Sequence, residues 1–168
     1  VVVREVNSPP IPVPVPPQSV DEQALLTLAL ATNDGDIPAN PLVYTLLSGP
    51  TGLAVSTSGV VTWTPTEAQG PGTSSVTVRV SDTRSPALLA TNVFTITVRE
   101  VNRAPVLTAI PIQYVDELSP LDFDLSATDP DIPANGLTFS RIAGPSGLTV
   151  SSQGRVLWTP TPSQIPST

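Results

Sequence analysis

Carboxylate and amide side chains recur in short patterns along the 168-residue sequence. A Glu ends a Val-Asp-Glu triplet, an Asp-x-Asp segment precedes an Asn, and a Glu-x-Asn segment follows a Val-rich run. The residues concerned are Glu22 and Glu117; Asp34, Asp36 and Asn40; Asp129, Asp131 and Asn135; Glu5 and Asn7; Glu100 and Asn102; and Asp82. These side chains offer oxygen atoms, and Ca²⁺ takes about 6–8 oxygen ligands from carboxylates, amide carbonyls and water. The patterns therefore predict sites for Ca²⁺.

The composition excludes several other classes of site. The chain has no Cys and no His, so it can form no disulfide, no thiolate or imidazole metal site and no Ser-His-Asp triad. All seven basic residues are Arg and the net charge is −7, which disfavours nucleic acid as a partner because that binding needs clustered cations. The longest apolar stretch, residues 24–31, is too short to span a membrane. Nothing supplies a nucleophile–base pair, and we expect no enzyme activity.

The acidic patterns recur because the sequence repeats itself with a period of 95 residues. The repeated segments are Val3–Asn7 and Val98–Asn102, residues 34–40 and 129–135, and Trp63–Thr66 and Trp158–Thr161. An ungapped alignment of residues 1–73 with residues 96–168 contains 35 identities. Such self-similarity indicates tandem copies of one structural unit.

Each copy has the pattern of short strands separated by turns. Apolar residues alternate with Thr and Arg, and Gly and Pro mark the turns between these runs. The predicted strands cover residues 10–16, 26–30, 42–47, 53–56, 60–64, 74–80 and 93–99. In the first of them, alternate prolines remove the donors of one edge, while Ile11, Val13 and Val15 are expected to face the core. Seven short strands in about 95 residues predict an all-β, immunoglobulin-like Greek-key β-sandwich.

This interpretation divides the chain into three parts. Residues 1–7 are the end of a preceding repeat, residues 8–100 form repeat 1, and residues 101–168 form a repeat 2 that lacks its last two strands. The missing strands come either from further sequence of a longer array or from another copy of the chain. Val1–Val6 has the sequence of a last strand, so strand donation would supply one of the two.

Greek-key connections place the acidic residues at the ends of the repeats. The first strand of repeat 1 ends at Glu22 at the bottom, and the second strand of repeat 2 ends at Asp129 and Asp131 at the top. The predicted junction site is Glu22, Glu100, Asn102, Asp129, Asp131 and Asn135, and the predicted N-terminal junction site is Glu5, Asn7, Asp34, Asp36, Asn40 and Asp82. Without a cation, clustered carboxylates would repel one another. Asp and Asn also favour turns, and that alternative stays open.

Several motifs resemble a known family. Residues 127–131 followed by Asn135-Gly136 resemble the Asp-x-Asp and Asn-Gly segment of cadherin repeats, and residues 101–105 resemble the end of their Asn-Asp-Asn-Ala-Pro linker. Trp63–Thr66, with a Gly-Pro-x-Gly segment upstream, resembles bacterial cadherin-like and immunoglobulin-like repeats of the dystroglycan type, found in tandem in surface and secreted proteins. The resemblance covers the whole chain and implies an extracellular adhesion or spacer module that Ca²⁺ stiffens.

The sequence also departs from the cadherin pattern. Arg103 stands where cadherins carry a linker Asp, and Trp63–Thr66 replaces their Asp-Arg-Glu segment. Glu67 follows that segment in repeat 1, but its counterpart in repeat 2 is Pro162. These departures argue against a third Ca²⁺.

The sequence as a whole favours a mechanical role outside the cell, on a bacterial surface. The expected partners are neighbouring repeats or other copies of the chain, with a surface protein or a glycan as further candidates. One alternative is a subunit of an extracellular filament or surface layer assembled by strand donation. Another is a carbohydrate-binding accessory domain of a secreted enzyme. That alternative needs exposed aromatic rings, whereas Trp63, Trp158, Tyr44, Phe94 and Phe139 are expected in the core.

Overall fold

The computed structural model of the protein describes residues 1–2 and 4–164. Val3, in the predicted N-terminal segment, and residues 165–168, in the predicted second repeat, lie outside the described residues. The chain divides into two compact units, Val1–Val101 (unit 1) and Asn102–Thr168 (unit 2). Within the described part of the chain, no helix has the length and apolar character needed to cross a membrane.

Unit 1 consists of short strands, one long hairpin and a turn of 3₁₀ helix. Its strands are β1 (Ile11–Pro12), β2 (Gln18–Asp21), β3 (Leu26–Ala29), β4 (Thr32–Asn33), β5 (Leu42–Ser48), β6 (Ala54–Val55), β7 (Val60–Trp63), β8 (Gly72–Asp82) and β9 (Leu89–Arg99). The 3₁₀ helix covers Glu67–Gln69. The order β2-β9-β8-β5 forms one sheet, β3-β7-β6 forms a second, and β1 pairs with β4.

Strand β2 runs parallel to β9, whereas the other pairs of unit 1 are antiparallel. In this pair Val20 lies opposite Val98 and Asp21 lies opposite Arg99. The carboxyl ends of the two strands therefore meet at the same end of the sheet, where β2 is followed by Glu22 and β9 by Glu100.

The alternating residues of both sheets meet in one core. Val76, Val78 and Val80 of β8 and Ile96 of β9 are buried together with Trp63 of β7, whose side chain is 1% exposed. Tyr44 and Phe94 belong to the same cluster. The sequence prediction that these three aromatic rings lie in the core is confirmed.

The proline-rich first strand differs from the prediction. Regular strand structure is limited to β1 and β2, and the residues between them form no ladder. Ile11 and Val13 are exposed, and Val15 packs at the margin of the core. The physical reason is that alternate prolines remove backbone donors, so a continuous ladder cannot form there. The backbone of Val13 still donates to Ala31, with a distance of 2.9 Å.

Unit 2 reproduces part of this arrangement. Its strands are β10 (Val106–Leu107), β11 (Leu121–Asp124), β12 (Ala127–Thr128), β13 (Thr149–Val150) and β14 (Arg155–Trp158), followed by a 3₁₀ helix at Pro162–Gln164. Each lies 95 residues after its counterpart in unit 1. The sheet order β11-β14-β13 matches β3-β7-β6, and β10 pairs with β12 as β1 pairs with β4. The structural period therefore equals the sequence period.

Residues 113–116 and 137–143 of unit 2 form no strand, although they correspond to β2 and β5. In unit 1, β2 pairs with β9 and β5 pairs with β8. The described residues of unit 2 contain no counterpart of β8 or β9, so these two segments have no strand to pair with. Trp158 and Phe139 are consequently only half-buried, and the prediction that both rings are core residues is wrong in degree.

Arg155 and Asp122 link β14 to β11 on the surface of unit 2. The guanidinium donates from Nε to Oδ1 at 2.9 Å and from Nη2 to Oδ2 at 2.6 Å. These hydrogen bonds, with the positive charge of Arg155, outweigh desolvation and lower the pKa of Asp122.

Candidate functional site

Three carboxylates of unit 1 lie close enough to share one cation. Glu22, Glu67 and Glu100 each offer an oxygen, and these oxygens lie within 4.8 Å of one another. Glu22 is buried, with 4% exposure, and the other two are half-buried. We call this group the glutamate cluster.

The local fold explains how the three residues meet. Glu22 and Glu100 follow the parallel pair β2 and β9, and the amide of Glu22 donates to the carbonyl of Arg99 at 3.0 Å. Glu67 begins the 3₁₀ helix, whose turn is closed when Thr66 donates from its amide to Gln69 Oε1 at 2.9 Å. The loop after β2 joins this helix because the amide of Gln23 donates to the carbonyl of Pro65 and its side chain donates to Glu67.

Glu22 is the most deeply buried carboxylate of the three. Its Oε1 accepts a 3.4 Å hydrogen bond from the amide of Val101. Its Oε2 is buried and has no hydrogen-bond partner among the described residues. Burying a carboxylate costs free energy unless the charge is paired or hydrogen-bonded. Two further carboxylates lie beside this side chain, and a cation bound among the three would compensate the buried charge.

Gly70 leaves the space beside that oxygen. A Cβ atom built on Gly70 would lie 2.9 Å from Glu22 Oε2 and 2.9 Å from Val98 Cγ1. Any side chain there would displace either the carboxylate or a core valine, since real Cβ contacts are not so short. The backbone of Gly70 thus forms one wall of the cluster.

The predicted N-terminal junction residues form a hydrogen-bonded network in unit 1. Asp36 is buried and accepts from the amide of Ser8 at 3.0 Å and from Asn40 Nδ2 at 2.7 Å. Asn40 also donates to Asn7 Oδ1, and Asn7 donates to Asp82. Asp34 joins through its Oδ1, which accepts from the amide of Asp36 at 3.0 Å. The network fastens the incoming segment to the loop after β4 and to the end of β8.

An arginine occupies the same end of unit 1. Arg84 forms a 2.5 Å ion pair with Glu5 and donates from Nε to Asn40 Oδ1 at 2.7 Å. Its own amide donates to Asp82 at 3.2 Å. The guanidinium therefore supplies positive charge to an acidic set for which the sequence predicted either a metal ion or turn-forming residues.

Asp82 is the most enclosed carboxylate of that set, with 2% exposure. Burial by itself raises its pKa. The hydrogen bonds from the side chain of Asn7 and from the amides of Leu88 and Arg84, together with the positive charge of Arg84, act in the opposite direction and lower its pKa overall.

The described residues of unit 2 repeat part of this network 95 residues later. Asp131 is buried and accepts from the amide of Arg103 at 3.0 Å and from Asn135 Nδ2 at 3.0 Å. Asn135 also donates to Asn102, and Asp129 accepts from the amide of Asp131. In contrast, Glu117, the counterpart of Glu22, is exposed.

Residues 7–99 match the family model described as "Bacterial Ig domain". The chain belongs to this family. No curated protein sequence matches it. Among solved structures, the bacterial Ig chain is similar to human CDH23 EC21-23, with 21% identity, 91% of this chain and 54% of that chain covered, and a TM-score of 0.62.

Two other cadherin structures give the same result. Mouse Cadherin-23 EC22-24 has 20% identity, 93% of this chain and 55% of that chain covered, and a TM-score of 0.62. The Protocadherin GammaB4 extracellular domain has 18% identity, 97% and 31% coverage, and a TM-score of 0.55. The chain thus spans about half the length of the cadherin-23 structures. The predicted all-β, cadherin-like and immunoglobulin-like fold is confirmed, and none of these descriptions names an enzyme.

Some of the predicted junction ligands of this bacterial Ig chain lie together, but in two separate groups. Glu22 and Glu100 meet in the glutamate cluster of unit 1, while Asn102, Asp129, Asp131 and Asn135 meet in unit 2. The combination of these two groups in one junction site stays a prediction. Glu67 was left out of the predicted site because its counterpart is Pro162. Its place directly after Trp-Thr-Pro-Thr, where cadherins carry an acidic segment, was the available signal.

Proposed function

We propose that this bacterial Ig chain is an extracellular spacer in which tandem units are stiffened by Ca²⁺ at their junctions. In this proposal residues 8–100 and 101–168 are consecutive repeats, and residues 1–7 end a preceding one. The family and the fold support a structural module. The glutamate cluster supports the cation.

The observation that carries the proposal is the orphaned oxygen of Glu22. Three carboxylates within 4.8 Å of one another repel, and one of them is buried with an oxygen that has no partner among the described residues. Carboxylate oxygens are ligands for hard cations, and Ca²⁺ accepts an irregular set of 6–8 of them together with water. A divalent charge would offset most of the repulsion, so the donors fit Ca²⁺.

Chain connectivity links this cluster to the network of unit 2. Val101 alone separates Glu100 from Asn102, so their Cα atoms lie at most about 7 Å apart. Asn135 donates hydrogen bonds to Asn102 and to Asp131. The first residue after Val101 is therefore part of a network that contains further oxygen ligands. A cation that binds oxygens on both sides of Val101 would restrict rotation about the linker. This is the physical basis of the proposed stiffening.

Calorimetric titration of the 168-residue chain with CaCl₂, after treatment with EDTA, tests the binding. Extracellular Ca²⁺ modules have dissociation constants of about 0.1–1 mM, so the titration should reach about 10 mM. We expect saturable binding and a higher melting temperature. At 100 times the dissociation constant, binding stabilises the folded state by about 2.7 kcal/mol.

Matched variants locate the site. Glu22→Gln and Glu67→Gln should each abolish or strongly weaken binding, and both should melt at a higher temperature than the parent chain in EDTA because they remove repulsion. Glu117→Gln, at the exposed counterpart, is the control and should bind as the parent does. Absence of saturable binding up to that concentration would contradict the proposal.

Small-angle scattering tests the mechanical consequence. If Ca²⁺ restricts the linker, the distribution of intramolecular distances should narrow when Ca²⁺ is added and broaden again in EDTA. Binding without any change in this distribution would leave a cation site but would remove the stiffening role.

A further inference from the structure

Two acidic groups lie at opposite ends of the β8–β9 hairpin. One is the glutamate cluster, and the other is the N-terminal network, which consists of Glu5, Asn7, Asp34, Asp36, Asn40 and Asp82. Asp82 ends β8 beside the turn, whereas Glu100 follows β9, and each strand has 11 residues. Such a strand is about 36 Å long, and salt screens charges beyond about 8–10 Å. A cation in the glutamate cluster therefore cannot neutralise the N-terminal network, which needs its own positive charge.

The two amide oxygens of the N-terminal network already accept hydrogen bonds from the chain. Asn40 donates from Nδ2 to Asn7 Oδ1 at 3.0 Å, and Arg84 donates from Nε to Asn40 Oδ1 at 2.7 Å. A calcium site would use these oxygens as ligands, since Ca²⁺ binds amide carbonyls and the amide nitrogen is a donor. In the structure both oxygens face N–H groups instead.

The two buried carboxylates of the network also have donors within the chain. Asp36 accepts from the amide of Ser8 at 3.0 Å and from Asn40 Nδ2 at 2.7 Å. Asp82 accepts from Asn7 Nδ2 at 2.8 Å and from two backbone amides. Hydrogen bonds of this kind offset the cost of burying a carboxylate, so neither group needs a metal ion.

One carboxylate oxygen of the network is left over. Asp34 Oδ1 accepts from the amide of Asp36 at 3.0 Å, whereas Asp34 Oδ2 is buried and has no hydrogen-bond partner among the described residues. A single oxygen falls far short of the roughly 6–8 that Ca²⁺ takes. The atoms of the network are thus arranged for donors of the chain and do not fit the cation that the sequence predicted there.

Arg84 supplies positive charge at this end of unit 1. Its guanidinium forms an ion pair with Glu5 and donates to Asn40, so it links the incoming segment to the loop after β4. The side chains of Arg84 and Glu5 are 35% and 26% exposed, and partly buried pairs are screened less than exposed ones. A guanidinium also keeps its charge and can donate several hydrogen bonds at once, which suits it to a site with several acceptors.

We propose that Arg84 takes the place of a junction cation in unit 1, so that residues 5–8 are held without Ca²⁺. The linker after Glu100 is held with Ca²⁺, and this half of the contrast rests on the proposed function. The half that concerns Arg84 does not. Unit 1 then has one end that responds to Ca²⁺ and one that does not, so a fall in Ca²⁺ loosens the chain at defined positions.

Amide hydrogen exchange of the 168-residue chain, measured by NMR in EDTA and in about 10 mM CaCl₂, tests the contrast. Ser8 donates its amide to Asp36, and Val101 donates its amide to Glu22, so these two amides report on the two ends. We expect the protection of Ser8 to be the same in both solutions and that of Val101 to rise in Ca²⁺. Protection of Ser8 that depends on Ca²⁺ would overturn the proposal. An unchanged Val101 beside a protected Ser8 would contradict the proposed function and leave the role of Arg84 standing.

Arg84→Gln tests the guanidinium itself. In EDTA this variant should lose about tenfold in the protection of Ser8, and CaCl₂ should restore protection because the acidic groups then lack their positive charge. Arg155→Gln is the control, since it removes the same charge from an ion pair of unit 2 and should leave Ser8 unchanged. The fluorescence of the buried Trp63 shows that each variant is folded. Unchanged protection in Arg84→Gln, or a loss that Ca²⁺ does not restore, would overturn the substitution of arginine for a cation.

Discussion

The side-chain amide of Asn7 donates a 2.8 Å hydrogen bond to Asp82, which lies 75 residues later in the chain. This bond joins the segment that enters unit 1 to the end of the longest hairpin. Asp82 also accepts from the amides of Arg84 and Leu88, so one carboxylate fastens three parts of the backbone. One end of unit 1 is therefore held together by charge-assisted hydrogen bonds to a single carboxylate.

The lowered pKa of Asp82 predicts a pH-dependent stability. A carboxyl group whose pKa is lower in the folded state than in the unfolded chain stabilises the fold above the unfolded pKa of about 3.9. This contribution is lost as the pH falls through the folded-state value. We expect Asp82→Asn to lower the urea midpoint at pH 7 and to flatten the decline of that midpoint below about pH 4.

Asn7→Ala is the matched test of the cause. It keeps the carboxylate but removes the side-chain hydrogen bond that most strongly lowers the pKa of Asp82. This variant should show a smaller acid-dependent loss than the parent chain. If its urea midpoint has the same pH dependence as that of the parent, the hydrogen bond does not determine the pKa.

A side chain at position 70 is predicted to clash with the glutamate cluster. Gly70→Ala places a Cβ atom 2.9 Å from both Glu22 Oε2 and Val98 Cγ1. Overpacking of this kind costs about 1–3 kcal/mol of unfolding free energy. Gly35→Ala is the control, because no atom lies within 4 Å of its Cβ position, and it should change the free energy of unfolding by less than about 0.5 kcal/mol. Equal effects in urea unfolding would show that the wall formed by Gly70 is not rigid.

The sequence predicted the strands better than it predicted the site. Alternation located β3, β8 and β9, because side chains that point to one face of a sheet need one kind of residue, and the turn signals on either side located β5 and β7. The prolines between β1 and β2 follow the same alternation, but they cannot donate to a ladder. The sequence of that segment therefore predicted a longer strand than the structure contains.

Long-range contacts explain what the sequence missed in the site. Arg84 reaches Asn40, 44 residues away, and Glu67 reaches Gln23 over the same separation. No local pattern encodes such distances. The 95-residue period also left Glu67 out of the predicted site, because its counterpart in the second repeat is Pro162. The period identified residues shared by both repeats and overlooked those that act in one.

The two tryptophans predict a measurable difference between the units. Trp63 is 1% exposed, whereas Trp158 is half-buried beside the open groove of unit 2. Acrylamide should quench the fluorescence of Trp63→Phe, which retains Trp158, several times more strongly than that of Trp158→Phe. Equal quenching would mean that unit 2 is covered in solution.

The ion pairs of Arg84 and Arg99 are expected to contribute unequally to stability. Arg99 pairs with Asp21 where the two side chains are 59% and 46% exposed, whereas the side chains of Arg84 and Glu5 are 35% and 26% exposed. Exposed pairs are screened by water and contribute less than about 1 kcal/mol, so Arg99→Gln should fall within that limit. Arg84→Gln also removes the hydrogen bond to Asn40, and hydrogen bonds to charged groups contribute about 1.5–3 kcal/mol. Urea unfolding at low and high salt should show the larger loss for Arg84→Gln, with the smaller salt dependence. The reverse order would mean that Arg84 does not hold the N-terminal network together.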